Sequence, residues 1–134
     1  MDFTPSAEGA EQGSKTILLV DDQKTLLRAV REGLEMSGYQ VLTADNGQEA
    51  ISLYAERKDI INLIITDFAM PGMDGAALIT ALRQEKPDLK TIIMTGNLAL
   101  IAIPHHPLHQ ADVVLPKPFR LPKLIDSIAT LLND

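Results

Sequence analysis

Leu63-Ile64-Ile65-Thr66-Asp67-Phe68-Ala69-Met70-Pro71-Gly72 reads as a strand buried on both faces that ends on a carboxylate. A continuous run of Leu and Ile is the pattern of a central strand in a parallel sheet, and Pro with Gly stops the strand and turns the chain. Asp67 is thereby placed at the carboxyl end of that strand. A carboxylate in such a turn is either a helix cap or a charge held for chemistry, and Asp67 alone does not choose between them. Three other apolar runs do, because each also ends in a polar signature: Val20-Asp21-Asp22, Met94-Thr95-Gly96 and Leu115-Pro116-Lys117-Pro118. Acids, a hydroxyl and an ammonium at four strand ends make a candidate site.

Outward from this strand, the pattern alternates. Thr16 to Val20 is an apolar first strand, and Leu26, Leu27, Val30 and Leu34 recur at helical spacing from Gln23 to Ser37, with Gly38 at the left-handed stop. Tyr39 to Ala44 mixes apolar and polar residues, which suits a sheet edge. Asn46 and Glu49 are a capping pair for a second helix running to about Lys58, with Ala50, Ile51 and Tyr54 inward. Leu78, Ile79 and Leu82 mark a third helix that ends near Pro87; Thr91 to Thr95 and the short Val113 to Leu115 are strands. Leu121, Leu124, Ile125, Ile128, Leu131 and Leu132, with Pro122 at the start, form a closing helix. Strands alternating with helices predict a parallel sheet covered on both faces. Strands one, three and four are the most apolar, so the expected architecture is α/β, a flavodoxin-like doubly wound five-stranded parallel sheet of order 2-1-3-4-5. Ligands of such sheets bind beyond the carboxyl ends of the strands at the switch point, and Asp21, Asp22, Asp67, Thr95 and Lys117 all fall on that edge.

Composition narrows the function classes. With 134 residues and 46% hydrophobic content, residues 15–134 are expected to form one domain with one core, and the small, polar, acidic residues 1–14 a disordered tail or linker. The absence of Cys removes thiolate metal sites, Cys nucleophiles and disulfides together. No apolar run approaches the roughly 20 residues of a membrane span, and no basic segment precedes an apolar one at the start, so the chain reads as soluble and cytoplasmic, with no membrane insertion. A net charge of −6 without a basic cluster argues against direct nucleic acid binding.

With these residues in view, the sequence resembles the receiver domain of two-component response regulators, from about Lys15 to Asn133. The resemblance is carried by Leu19-Val20-Asp21-Asp22, by Thr66-Asp67-Phe68-Ala69-Met70-Pro71-Gly72-Met73-Asp74-Gly75, by Met94-Thr95-Gly96 and by Lys117-Pro118-Phe119. It implies a phosphorelay signalling domain that is not a free-standing enzyme. Asp67 is the implied phosphoacceptor, and the donor is a phosphohistidine on a sensor histidine kinase or histidine phosphotransfer protein docking beside helix one.

The residue types account for such chemistry. Neighbouring strands are about 4.8 Å apart, so carboxylates ending strands one and three are forced close together. Like charges at about 4 Å repel by roughly 4 kcal/mol at an effective dielectric near 20, and a cation must relieve that. Oxygen ligands without Cys or His favour a hard divalent ion, Mg2+ first and Mn2+ as substitute. The resemblance implies Asp22 and Asp67 as direct ligands, Asp21 acting partly through water, and the backbone carbonyl of Ala69 as a further oxygen. Mg2+ and the Lys117 ammonium would neutralise charge developing on the phosphoryl oxygens, and Thr95 would answer the added phosphate with its hydroxyl. Ala69 and Asn97 would flank the path of the water that later hydrolyses the acyl phosphate.

The alternatives are specific. Asp21 and Asp22 would otherwise cap helix one, Thr95 end a strand and Lys117 lie in solvent. His105 and His109 have the spacing of a metal pair, but Pro104 and Pro107 break the helix that the pair needs. A Mg2+-dependent phosphohydrolase would need an acid or base two residues beyond Asp67, where Ala69 stands. An interaction domain working without phosphorylation would not need the acids, hydroxyl and ammonium that are all present. Two departures from the family pattern bear on output. Many receivers carry an aromatic residue three positions before the lysine, and here that residue is Val114. Residues 96–107 cannot form a regular helix through their second half, so a degenerate fourth helix is expected: short, displaced or absent. The implied setting is a stand-alone regulator or the receiver of a hybrid histidine kinase, with a downstream protein target or a dimer as further partners.

Overall fold

The computed structural model describes residues 15–133; the expected tail at 1–14 lies outside them. Five parallel strands form one sheet of order β2-β1-β3-β4-β5: β1 (Thr16–Val20), β2 (Gln40–Ala44), β3 (Ile61–Asp67), β4 (Lys90–Thr95) and β5 (Val113–Pro116). The helices are α1 (Lys24–Met36), α2 (Gly47–Arg57), α3 (Gly75–Glu85), α4 (Leu98–Ile101) and α5 (Leu121–Leu132), with a 3-10 turn at Pro107–Gln110. The expected architecture and strand order are observed.

Burial explains the order. Every residue of β1 is buried, as are Leu63, Ile64 and Ile65 of β3 and Ile92, Ile93 and Met94 of β4, whereas the edge strand β2 is mostly half-exposed. One face of the sheet packs Ile17, Leu19, Leu63, Ile65 and Ile92 against Val30, Leu34, Leu124 and Ile128 from α1 and α5. The other packs Leu18, Val20 and Ile64 against Ala50, Tyr54, Leu78 and Leu82 from α2 and α3. These alternating inward faces follow from the two-residue side-chain period of a strand.

Local chemistry sets the ends. Gly38 has φ +99° and stops α1, as its place in the sequence predicts. Asn46 caps α2, its side chain accepting from the Glu49 amide at 2.7 Å, while the Glu49 carboxylate reaches one residue further back, to the Asp45 amide at 2.8 Å. β3 begins at Ile61, two residues before the apolar run. The polar Asn62 interrupts the pattern because its Oδ1 accepts from the Thr16 amide, where the β1–β3 register shifts.

The fourth helix is degenerate, as expected. α4 is one turn long, and the chain then runs through Pro104, His105 in the left-handed region (φ +64°) and Pro107 before the 3-10 turn. Leu108 is wholly buried and anchors this turn among Ile79, Ile93 and Ala111. Polar bonds secure it to α3: Thr80 Oγ1 donates to Gln110 Oε1, Gln110 Nε2 donates to the Ala76 carbonyl, and the Arg83 guanidinium donates to the Gln110 and Leu89 carbonyls and to Asp112. Among the described residues, no helix is long and apolar enough to cross a membrane.

Candidate functional site

Parallel pairing brings the polar strand ends to one edge. Val20 pairs with Thr66 and Asp67 with Met94, so Asp21, Asp67 and Thr95 follow one another across the rim of β1, β3 and β4. Lys117 follows β5 directly, and its amide donates to the Thr95 carbonyl at 2.7 Å. The turn after β3 is held on both sides: the Phe68 amide donates to the Met94 carbonyl, and the Phe68 carbonyl accepts from the Gly75 amide, each at 2.8 Å. Thr66 Oγ1 donates to the main-chain carbonyl of Asp67 at 2.9 Å.

At the centre, the Lys117 ammonium bridges two carboxylates, at 3.0 Å from Asp67 Oδ1 and 3.1 Å from Asp21 Oδ2. Asp21 is 1% exposed and Asp67 7%. Asp22 is exposed, with no hydrogen bond or ion pair among the described residues. Carboxylate oxygens of Asp21, Asp22 and Asp67 lie within 4.8 Å of one another, an all-oxygen donor set that fits a hard divalent ion. Burial raises the pKa of Asp67 above its ordinary 3.8; the hydrogen bond from Lys117 opposes this, and the Asp21 charge adds to it. For Lys117, burial alone would lower the pKa, but the bond to Asp67 and the two carboxylate charges outweigh it and the net shift is upward. Burial therefore strains the acid, and the pair with Lys117 partly relieves that strain while it secures the base. One ammonium does not fully compensate two buried carboxylates and a third at the rim.

The capping alternative for the first acids is not what forms. α1 has Gln23 at its N-cap without a side-chain cap bond. Asp21 Oδ1 instead accepts from the Gln23 amide at 2.8 Å, which orients the carboxylate and leaves Oδ2 for Lys117. Lys117 is likewise not a solvated lysine. Thr95 is buried at the rim, its Oγ1 accepting from the Asn97 amide at 3.0 Å, and Ala69 lies exposed in the turn two residues beyond Asp67. The histidines do not form a metal cluster among the described residues: His106 Nδ1 accepts from the Leu108 amide, and His109 Nε2 lies 3.0 Å from the Ile101 carbonyl.

Gly75 bears on the site in a way that the sequence alone hides. It opens α3 with its Cα so close to the end of β3 that a Cβ there would lie 2.5 Å from the Asp67 carbonyl oxygen and 3.1 Å from Phe68 Cα. Both are backbone atoms and cannot swing aside. Alanine ordinarily favours a helix over glycine by about 1 kcal/mol, but here the clash sets the sign. Gly75→Ala is expected to destabilise by about 1–3 kcal/mol in urea unfolding. An unchanged or raised midpoint would show that the two elements can separate freely.

The family model described as the response regulator receiver domain matches residues 17–129. The chain belongs to this family. It is 36% identical over 118 residues to the response regulator receiver protein CpdR of Brucella abortus, covering 88% of this chain and 97% of CpdR. It is 32% identical over 121 residues to the sensor kinase CckA of the same organism, covering 90% of this chain but only 13% of that kinase. Among solved structures it is similar to the response regulator TrrA of Thermotoga maritima, determined in complex with Mg2+ and BeF, with a TM-score of 0.78 at 30% identity over 87% of this chain and 98% of that one. The receiver domain is a signalling module of two-component systems, a family that works with histidine kinases or phosphotransfer proteins and binds Mg2+ in an acidic pocket.

Proposed function

We propose that this receiver domain accepts a phosphoryl group onto Asp67 from a phosphohistidine donor in a Mg2+-dependent reaction, and that residues 15–134 act as the phosphoacceptor unit of a phosphorelay. The supporting observation is the way Lys117 divides the Asp67 carboxylate. Oδ1 is held by the ammonium, while Oδ2 carries no hydrogen bond among the described residues and is left to attack. An Asp67 oxygen forms the bond to phosphorus as the P–N bond of the phosphohistidine breaks, and the imidazole leaves with the electron pair and takes up a proton.

Asp21, Asp22, Asp67 and the Ala69 carbonyl would hold the Mg2+, which supplies charge neutralisation for the attacking carboxylate and the phosphoryl oxygens. Lys117 already lies against Asp67 and can follow the new negative charge. Thr95 can donate its hydroxyl to a phosphoryl oxygen while still accepting from Asn97, since a hydroxyl does both. The donor would dock beside α1, where Leu26, Ala29, Val30, Pro118, Phe119 and Leu121 line a mostly apolar groove of about 430 Å³ that Lys117 also lines. Ala69 and Asn97 would govern hydrolysis of the acyl phosphate.

Incubation with Mg2+ and acetyl phosphate is expected to yield one hydroxylamine-sensitive acyl phosphate, mapped to Asp67. Its absence, or its presence on another residue, would overturn the reading. Lys117→Ala is expected to slow uptake by about tenfold or more, as for loss of one electrostatic partner of a transition state; uptake at the original rate would remove Lys117 from the reaction.

A further inference from the structure

Val114 leaves β5 without a ring at the position from which many receivers report phosphorylation, yet one aromatic contact does touch the phosphoacceptor turn. Phe68, bonded directly to Asp67, meets the His106 ring edge-on, with centroids 5.4 Å apart and planes at 66°. We propose that His106 is a positioning residue, acting through Phe68 on the Asp67 turn and linking that turn to the shortened fourth helix. The proposal rests on the reading of Asp67 as phosphoacceptor.

Both partners are fixed from behind. The Phe68 backbone is bonded to Met94 on one side and Gly75 on the other, so its ring has a set origin beside Ile79, Ile93 and Leu108. The His106 ring is held because Nδ1 accepts from the Leu108 amide at 3.1 Å, which places the proton of the neutral ring on Nε2. Leu108 is fully buried, and the turn that carries it is bonded to α3 through Gln110 and Arg83. A displacement of the Asp67–Phe68 turn must therefore either move the imidazole or be resisted by it.

The segment that would move is tied to the site at both ends. At its start, Thr95 Oγ1 holds the Asn97 amide, and Asn97 Oδ1 caps α4 at the Ala99 amide. At its far end, the His106 amide donates to the Ile103 carbonyl while the ring touches Phe68. Between them lie Leu98 and Ile103, both largely exposed, in a run from Gly96 to Ala111 without a single Asp, Glu, Lys or Arg. Contiguous packing of this kind can carry coupling between two sites when its elements have discrete arrangements.

A purely structural role, in which His106 only caps the turn, separates cleanly from the proposed one. His106→Asn keeps an acceptor for the Leu108 amide but removes the ring; His106→Phe keeps the ring edge but removes the acceptor. The readout is the change in backbone amide chemical shifts of residues 97–103 on adding beryllofluoride with Mg2+. His106→Phe is expected to retain that change and His106→Asn to lose about half of it or more, while His106→Phe has the lower thermal midpoint. A full response in His106→Asn, or equal losses in both variants, would overturn the proposal. Should His106→Asn fail to fold, Phe68→Leu removes the same contact from the other side and is expected to give the same loss, a full response again overturning the proposal. A wild type that shows changes around Asp67 but none at 97–103 sinks this inference alone; a wild type with no change anywhere sinks the phosphoacceptor reading and this inference with it.

Discussion

Asp67→Asn is expected to abolish phosphoryl uptake from acetyl phosphate and, in metal-free buffer, to make the protein more stable. The first effect follows from chemistry: an amide oxygen is too weak a nucleophile, so uptake should fall to background by mass spectrometry. The second follows from electrostatics. Burial raises the folded-state pKa of Asp67 above the ordinary 3.8, and the neighbouring Asp21 charge reinforces this despite the Lys117 bond. Between those two values the folded protein binds more protons than the unfolded chain, so stability falls as pH rises through the folded value, and ionised Asp67 is a net cost at neutral pH. Asparagine removes the charge but keeps an oxygen acceptor for Lys117. With EDTA present, the variant should therefore be more stable than wild type at pH 7, seen as a higher Tm. The gain should shrink as pH falls from the folded-state value through 3.8 and vanish well below it, where both states of the wild type are protonated. A variant less stable than wild type at pH 7 would mean that the Lys117 bond outweighs burial. Residual uptake would mean that another residue is the acceptor.

Chelation should have an effect of similar size on uptake. Of three carboxylates whose oxygens lie within 4.8 Å of one another, only Asp21 and Asp67 pair with the one ammonium, so a divalent ion meets an incompletely neutralised, oxygen-lined site. Uptake should fall to background in EDTA and return with Mg2+ or Mn2+. Because the acids converge only in the folded chain, Mg2+ should also stabilise it by mass action, by about 1.4 kcal/mol at tenfold excess over its Kd, and so raise Tm. The chain has no Trp, so calorimetry or NMR titration is the direct route to the binding constant. Asp22→Asn isolates the metal contribution, since Asp22 is exposed and, among the described residues, bonds to nothing that holds the fold. The variant should keep its metal-free Tm while its Mg2+ affinity falls about tenfold or more. Unaltered Mg2+ stabilisation in that variant would exclude Asp22 from the ligand set.

If both results are obtained, the site combines functional necessity with a stability cost, a trade common at active sites. The remainder of the rim is built to contain that cost. Thr66 anchors the Asp67 carbonyl, Gln23 orients Asp21, and the amides of Phe68 and Gly75 are both satisfied in a turn that has little freedom left. The apolar walls of β1, β3 and β4 then supply the burial that lets a strained rim persist.

Much of this was legible before folding because it is local. An apolar run ended by Asp67, with Pro71 and Gly72 after it, needs only neighbours in the chain to be read as a strand and its stop. Gly38 at positive φ and the Asn46 cap belong to the same class. So does the collapse of the fourth helix, because Pro104 and Pro107 forbid helical bonding whatever surrounds them. From strand order alone it followed that Asp21, Asp22, Asp67, Thr95 and Lys117 share one edge. Tertiary structure decided how those groups divide their bonds. That Lys117 bridges Asp21 and Asp67 while Asp22 stays free depends on a contact spanning 96 residues. That Gly75 leaves no room above the Asp67 carbonyl, that Arg83 reaches Asp112 across 29 residues, and that His106 lies against Phe68 depend on how helices and loops settle on the sheet. Periodicity states which face a residue takes, and only packing states which atom it meets there.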